Sequence, residues 1–577
     1  MHRNGIDACI ISDSDIHLNE YPAACYKFRS WISGFKGSAG TLVVTQDVSV
    51  LWTDSRYFIQ AEKELKDTEI QLFLHLAEPN ESMHEWIAAQ NLQQVGFDGS
   101  VTSAEQGHFL STYFTKKGIR VCADFKPQES IWQDRPTMPK MKAFDFPEAF
   151  SGEVTASKMS RISNELDRIQ LDCYISSKPD EIAWALNIRG FDIEFNPVVL
   201  SHACFFKHQT HVFIEKEKLF LAVTERFSKD NIQIHPYEGF HDFASSLAHL
   251  DILIDKNTVS YESYVLLLKS NNIRFGTSPV STMKSIKNTT EIQGFKESML
   301  QDGLALCRAL YPIQNVSGHQ EMSEYDLGKI IESKRAGFSN YLMESFHPIV
   351  AKGSNGAIVH YQADMEQSTK IFEDEGALLI DCGAHYMTGT TDITRTFYIG
   401  AAPQSFKMDY TLVLKGLISL SSAIFPEGTR GSQLDILARK ALWDQGLTYL
   451  HGSGHGVGHV LNVHEGPQNI RLNENPTMLL PGMVLSNEPG IYRKGQWGIR
   501  LENLVVVKEW LENDFGKFYA FETLTLFPFE SDFILKEMLS LKEIDWLNKY
   551  HQSVRKQLLP HIDETLKTWI ISKTNTI

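Results

Sequence analysis

No stretch of these 577 residues reaches the roughly 18 unbroken apolar positions of a membrane-spanning helix. The N-terminus, Met1 to Asp13, has a short apolar run at Ala8–Ile11 and then acidic residues. It lacks the long apolar segment and small-residue cleavage site of a secretory signal. The seven cysteines (9, 25, 122, 173, 204, 307 and 382) are odd in number, scattered, and never form CxxC. That distribution reads as reduced thiols in a cytoplasm, packed mostly as small apolar residues. Positive charge is scarce: 55 Lys and Arg face 71 Asp and Glu, a formal net charge of −16. A nucleic-acid partner would need a basic face, and an anionic membrane surface would repel the chain.

What is present is the balance of a soluble globular protein, 42% hydrophobic and 22% charged. The length exceeds what one hydrophobic core serves, so two to four domains are expected. The first segment alternates strand and helix patterns: IDACIIS, TLVVT and VSVLWTD as strands, then a helical run from Arg56 to Lys66. A Pro-containing stretch at 132–139 (WQDRPTMP) predicts a linker. After it, Met159, Ile162, Leu166 and Ile169 fall on one face of a helix. The chain then echoes itself. IDACIIS returns as LDCYIS at 171–176, and Trp31-Ile-Ser-Gly-Phe returns as Trp184 through Arg189-Gly190-Phe191. Two related domains are expected, although the match needs insertions and chance likeness between two α/β units competes with it. A third region opens near Ser285, where Asn288 and Glu291 form an N-cap pair ahead of a long amphipathic helix through Leu310.

Four segments of the third region carry chemistry. In LLIDCGAHYMTGTTDITRTF, strand alternation puts Thr390, Asp392, Thr394 and Thr396 on one face, and a hairpin brings Asp381 beside Asp392. Two close carboxylates repel unless one is protonated or a cation sits between them. On this segment alone, ordinary turn and edge aspartates explain the pattern equally well. The second segment, HGSGHGVGHVLNVHEGP, has His451, His455, His459 and His464 among five glycines. The glycines disfavour a helix and suit a backbone that approaches a site closely, against the alternative of a surface loop with fortuitous histidines. A HExxH zinc helix is absent. The last two are SNEPGIY, with Glu488, and GIRLEN, with Glu502. In the latter, alternation places Arg500 and Glu502 on one face, so that Arg500 can hold that carboxylate; a plain surface ion pair is the competing account. Asp381, Asp392, His455, Glu488 and Glu502 together offer four negative charges and one imidazole, a set that balances two divalent cations. Such oxygen-rich donors suit manganese, with zinc or cobalt as alternatives.

In this order and within these motifs, the five candidates resemble the creatinase/aminopeptidase P family of pita-bread metallopeptidases. GAIVHY, ISGFKGSAGT and EIAWALNIRG add to the likeness, which covers nearly the whole chain and is nearest to the three-domain, cytosolic-type Xaa-Pro aminopeptidases. The resemblance implies an α/β (α+β) chain: creatinase-like domains at 1–140 and 141–284, then a pita-bread catalytic domain at 285–577 with a helical tail from about 527. It implies a cytoplasmic dinuclear exopeptidase that releases the residue ahead of a proline, by attack of a hydroxide bridging the two metals. Asp381 corresponds to a ligand of one metal, Asp392 and Glu502 to bridging ligands, His455 to the imidazole ligand, and Glu488 to a ligand that is also the general base. His360, His451 and His464 match non-ligand active-site histidines, and Arg500 the arginine beside the bridging glutamate. His459 stands where many relatives have a small residue. The family's long-chain members form homodimers through the catalytic domain, and the apolar tail residues Leu541, Ile544, Trp546, Leu547 and Tyr550 offer a partner surface or packing on their own domain. Two rivals stand beside this assignment. A proline dipeptidase of the same superfamily shares all five ligands, and an inactive binding protein on the same fold would have lost some of them.

Overall fold

A computed structural model describes residues 1–54, 56–74, 82–315, 321–366 and 368–577. They form two compact units, Met1–Thr282 and Met283–Ile577.

The first unit holds two six-stranded sheets. Its strands are short runs rich in Val, Ile, Leu and Phe, as suits a sheet buried on both faces. The first sheet consists of β1 (Ala8–Ser12), β2 (Thr41–Val44), β3 (Ser49–Thr53), β4 (Ile70–Leu74), β5 (Gln94–Phe97) and β6 (Arg120–Cys122). The second consists of β7 (Cys173–Ser176), β8 (His202–Phe206), β9 (Thr210–Phe213), β10 (Ile232–His235), β11 (Asp251–Ile254) and β12 (Asn272–Phe275). Their orders, β4-β3-β2-β1-β5-β6 and β10-β9-β8-β7-β11-β12, are the same permutation. The senses agree as well: the first strand pairs antiparallel with the second and parallel with the fifth in both sheets. The two tryptophans of the echo also hold equivalent places. Trp31 lies in the helix Phe28–Ser33 after β1, and Trp184 in the helix Pro179–Leu186 after β7. Matching topology down to the connecting helix is what duplication leaves behind, and the loose sequence repeat is its residue. The helix Thr155–Arg168 buries Ile162 and Leu166, with Met159 and Ile169 half-buried at its margins.

The second unit opens with α1 (Thr289–Asn315). Asn288 caps it reciprocally: its Oδ1 accepts from the Glu291 amide at 3.0 Å, and its amide donates to Glu291 Oε2 at 2.9 Å. Three antiparallel strands, β13 (Ile349–Lys352), β14 (Gly376–Cys382) and β17 (Ile393–Ile399), form a small sheet. Between β14 and β17 the chain makes an excursion through β15 (Ala384–Tyr386) and β16 (Gly389–Thr390), which pair in a separate sheet with Tyr341–Glu344. After α2 (Gln404–Ser421) come β18 (Ile424–Pro426), α3 (Gly431–Trp443), β19 (Gly454–Gly456), β20 (Glu465–Ile470), β21 (Val484–Asn487), β22 (Gly490–Arg493), β23 (Trp497–Arg500), β24 (Asn503–Asn513) and β25 (Gly516–Thr523). The larger sheet runs β18-β25-β24-β21-β19-β20, and β22 and β23 form a separate hairpin.

The tail helix α4 (Leu541–Leu558) buries Leu547, Tyr550, Val554 and Leu558 in the same core as Leu310, Ile380 and Leu417. Its apolar stripe is therefore spent on its own unit, with Ile544 and Trp546 half-buried and Leu541 exposed. Among the described residues no helix is long and apolar enough to cross a membrane.

Candidate metal centre

Two sheets of the second unit deliver the five candidate ligands to one place. Asp381 is the penultimate residue of β14, opposite Thr394 of β17, and Asp392 immediately precedes β17. The register, with Cys382 facing Ile393, brings the two aspartates to one end of the strand pair. His455 is the middle residue of β19, whose neighbour β21 leads directly into Glu488. Glu502 follows β23 and is pulled onto β17, where its amide donates to the Thr394 carbonyl at 3.0 Å.

Close approach explains the glycines beside His455. A Cβ on Gly454 would stand 2.1 Å from the Ser486 carbonyl oxygen, so β19 could not reach β21 with any larger residue there. The alternating Thr face of β17 clasps the GIRLEN segment. Thr394 Oγ1 donates to Glu502 Oε2 at 2.7 Å, and Thr396 Oγ1 donates to the Arg500 carbonyl at 2.9 Å.

Oxygen and nitrogen atoms of Asp392, His455 and Glu502 lie within 4.8 Å of one another. His455 Nδ1 donates to the Gly456 carbonyl at 2.9 Å, which leaves Nε2 facing Asp392 Oδ2 at 3.5 Å and Glu488 Oε1 at 3.6 Å. The charges do not balance without a cation. Burial raises the carboxyls of Asp381, Glu488 and Glu502, and the neighbouring aspartates add to it, against the opposing pull of Arg500 on the first two. Burial works to lower the His455 imidazole, yet Asp392 and Glu488 outweigh it and push it up to about 9. Asp381 Oδ1 is buried with no partner among the described residues. An unmet buried oxygen and carboxyls pushed toward protonation are the marks of a site that lacks positive charge, so the residues present fit divalent cations.

Arg500 does not hold Glu502, as strand alternation suggested. Its Nη2 donates to Asp381 Oδ2 and its Nη1 to the Tyr492 hydroxyl at 2.7 Å, because the regular strand ends at Arg500 and the next turn carries Glu502 to Thr394. Tyr492 in turn reaches His451 Nε2 at 2.8 Å, while His451 Nδ1 donates to the Gly452 carbonyl at 2.7 Å. The carbonyl fixes the tautomer, so the chain of donors runs from Arg500 to the Tyr492 oxygen and from the Tyr492 hydroxyl to His451. His464 stands edge-on to His455 with ring centroids 4.4 Å apart. His360 is half-buried, just beyond the turn Gly353–Ala357, and that turn lies so close to β23 that a Cβ on Gly498 would meet the Gly356 oxygen at 1.7 Å. His459 is buried away from the cluster and donates from Nε2 to the Thr388 carbonyl at 2.8 Å.

Two residues that sequence reasoning left without a role belong to this centre. Tyr492 links His451 to Arg500. Ser486 accepts from the His455 amide at 3.0 Å and donates to Glu488 Oε1 at 3.3 Å. Both lie within SNEPGIY, but only the folded backbone shows which neighbours they meet.

Comparison with known proteins agrees with this architecture. Residues 1–126 and 134–291 match creatinase/prolidase N-terminal domains, residues 293–509 match metallopeptidase family M24, and residues 517–577 match the C-terminal region of peptidase M24. A probable Xaa-Pro aminopeptidase P from Coprinopsis cinerea is 34% identical, over 100% of this chain and 97% of its own length. Xaa-Pro aminopeptidase 1 of Dictyostelium discoideum is 36% identical, over 98% of this chain and 92% of its own. The crystal structure of an X-prolyl aminopeptidase from Caenorhabditis elegans, described as a cytosolic enzyme with a di-nuclear active site, superimposes with a TM-score of 0.93 at 32% identity. It covers 99% of this chain and 95% of that one. Two creatinase-type domains ahead of a pita-bread catalytic domain is thus the fold of the chain.

Proposed function

The chain belongs to the Xaa-Pro aminopeptidases of metallopeptidase family M24, and on that footing we propose how its own residues carry the reaction. It is a dinuclear metal-dependent exopeptidase that releases the N-terminal residue from peptides with proline in second position. The observation that carries the residue roles is the convergence of four carboxylates and one imidazole, three of them within 4.8 Å, in a pocket of uncompensated negative charge.

Asp381, Asp392, His455, Glu488 and Glu502 would hold the two cations. The bound cations supply Lewis-acid activation of the attacking water and of the scissile carbonyl. Glu488 takes the proton of that water and returns one to the leaving proline nitrogen. It is suited to the task because Ser486 touches only one of its oxygens. His464, against the His455 ring, and His360, beyond its turn, donate to the oxyanion. His451 is a proton shuttle held by Tyr492. Arg500 fixes Asp381 in one rotamer and opposes the burial that raises its carboxyl. The proline nitrogen carries no hydrogen, so a shaped site for its ring replaces the donor contact that an ordinary peptide bond offers.

Manganese is the proposed metal, because the donor set is rich in oxygen and holds a single imidazole. The domain limits are taken as 1–140, 141–284 and 285–577. A cytoplasmic location accords with seven free cysteines and with the cytosolic character of the nematode enzyme. A homodimer through the catalytic unit finds support in α3, where Ile436 and Trp443 are exposed two turns apart on one face, with exposed Leu450 seven residues on. Substrate length tests the activity. Purified protein with manganese should cleave an Xaa-Pro-Xaa tripeptide and leave an Xaa-Pro dipeptide intact, and preference for the dipeptide would make it a prolidase.

A further inference from the structure

The segment that carries His455 and His464 is held at two points by residues outside the metal centre. At one end is Glu465, adjacent to His464, whose carboxylate receives Lys284 Nζ at 2.7 Å and Lys287 Nζ on its other oxygen, all three side chains being almost fully buried. Between the two histidines is His459, four residues after His455 and 2% exposed. Its Nε2 donates to the Thr388 carbonyl at 2.8 Å, its Nδ1 stands 3.8 Å from Glu291 Oε1, and its ring lies 5.5 Å from Phe295. Thr388 sits in the turn between β15 and β16, four residues before Asp392. That turn is itself fixed to α1: Ser298 and Thr388 share a hydrogen bond of 2.8 Å, and a Cβ on Gly294 would lie 2.1 Å from the Thr388 oxygen. The next backbone group reinforces the joint, since the Val460 amide donates to Thr390 Oγ1 at 3.1 Å.

One imidazole thereby fastens the His455 segment to the excursion that delivers Asp392. We propose that His459 is a positioning residue for the metal centre, setting the gap between His455 and Asp392 through the Thr388 carbonyl. The physical reason is that His455 and Asp392 come from different sheets, so that no strand ladder fixes their separation. Cations demand ligand atoms placed within a few tenths of an ångström, and residues behind the ligands set that placement. A small residue at 459 cannot span to Thr388, so this chain has a tether that a small side chain would not supply. This inference rests on Asp392 and His455 being ligands.

The test is binding of Mn2+ to the chelator-stripped full-length protein, read from the paramagnetic signal of free Mn2+, for the native protein, His459→Gln and His459→Met. Gln and Met are nearly the same shape, and only Gln can donate to the Thr388 carbonyl. His459→Met should raise the Kd about tenfold while His459→Gln stays within about threefold of native. Equal Kd values for the two variants would overturn the proposal, whether both are native-like or both are weak, since the hydrogen bond would then play no part. Absence of Mn2+ binding by the native protein would instead remove the ligand assignment itself.

Discussion

Asp381 and Glu488 reach the same cluster, but their neighbours assign them different work. Asp381 is fixed by Arg500, whereas Glu488 is held by one contact from Ser486 and faces His455 at 3.6 Å. Glu488→Gln should therefore lower kcat by about 10²–10⁴ with metal still bound, because the amide cannot take the proton. Asp381→Asn should lose metal instead, and metal analysis beside steady-state kinetics separates the two. The titration of the centre leads to a second expectation. His455 rises from an ordinary imidazole value to about 9 in the metal-free protein, so the stability it contributes is complete below about pH 6.5 and is lost as pH climbs to 9. With His455 as a ligand, metal would bind the deprotonated ring and reverse the trend. The difference in Tm between loaded and stripped protein should widen from pH 6.5 to pH 9, and a constant difference would refute it. At this scale the candidate ligands were legible in the motifs, since Asp381, Asp392, His455, Glu488 and Glu502 stand in four recognisable segments. The partners of Arg500 and the role of Tyr492 were not. A two-residue alternation rule cannot tell where a strand ends, and the end of β23 at Arg500 decides that Glu502 goes to Thr394.

Among the elements that carry the candidate ligands, β19 is closely confined. It is three residues long, lies between β20 and β21, and carries His455 on a backbone too close to Ser486 for a side chain at 454. Gly454→Ala should displace β19 from β21 at a cost of about 1–3 kcal/mol and reduce activity about 10²-fold through misplacement of His455. Retained activity with a native Tm would show that β19 yields more than its contacts allow. The strands at IDACIIS, TLVVT, VSVLWTD and LDCYIS and the capped helix α1 were legible because short apolar runs and the Asn288–Glu291 pair are local signals. The excursion through β15 and β16 was not, because the pairing that draws it away from the β14–β17 hairpin comes from Tyr341–Glu344, some forty residues upstream. The tail was legible as a helix, and of the two readings of its apolar residues the packing on its own domain is the one the core bears out. Its Tyr550 hydroxyl receives Arg395 at 2.9 Å, beside the Arg395 bond to the Glu502 carbonyl, so the tail closes the core behind a candidate ligand.

At the scale of the whole molecule, the identical strand permutation of the two N-terminal sheets turns a faint sequence echo into a duplication. A strand order survives the insertions that blur residue matches. The apolar face of α3 leads to a quaternary expectation: sedimentation at several concentrations should give a dimer, and Trp443→Glu should shift it toward monomer. A native protein that is monomeric throughout would defeat the dimer and leave the chemistry untouched. The central claim is that the four carboxylates and His455 exist to hold two catalytic cations, and it is met most directly by metal titration. Protein stripped with chelator should be inactive toward an Xaa-Pro tripeptide and recover as Mn2+ is added, reaching its plateau at two ions per chain and recovering less with calcium or magnesium. Full activity in protein shown to be free of metal would contradict the account.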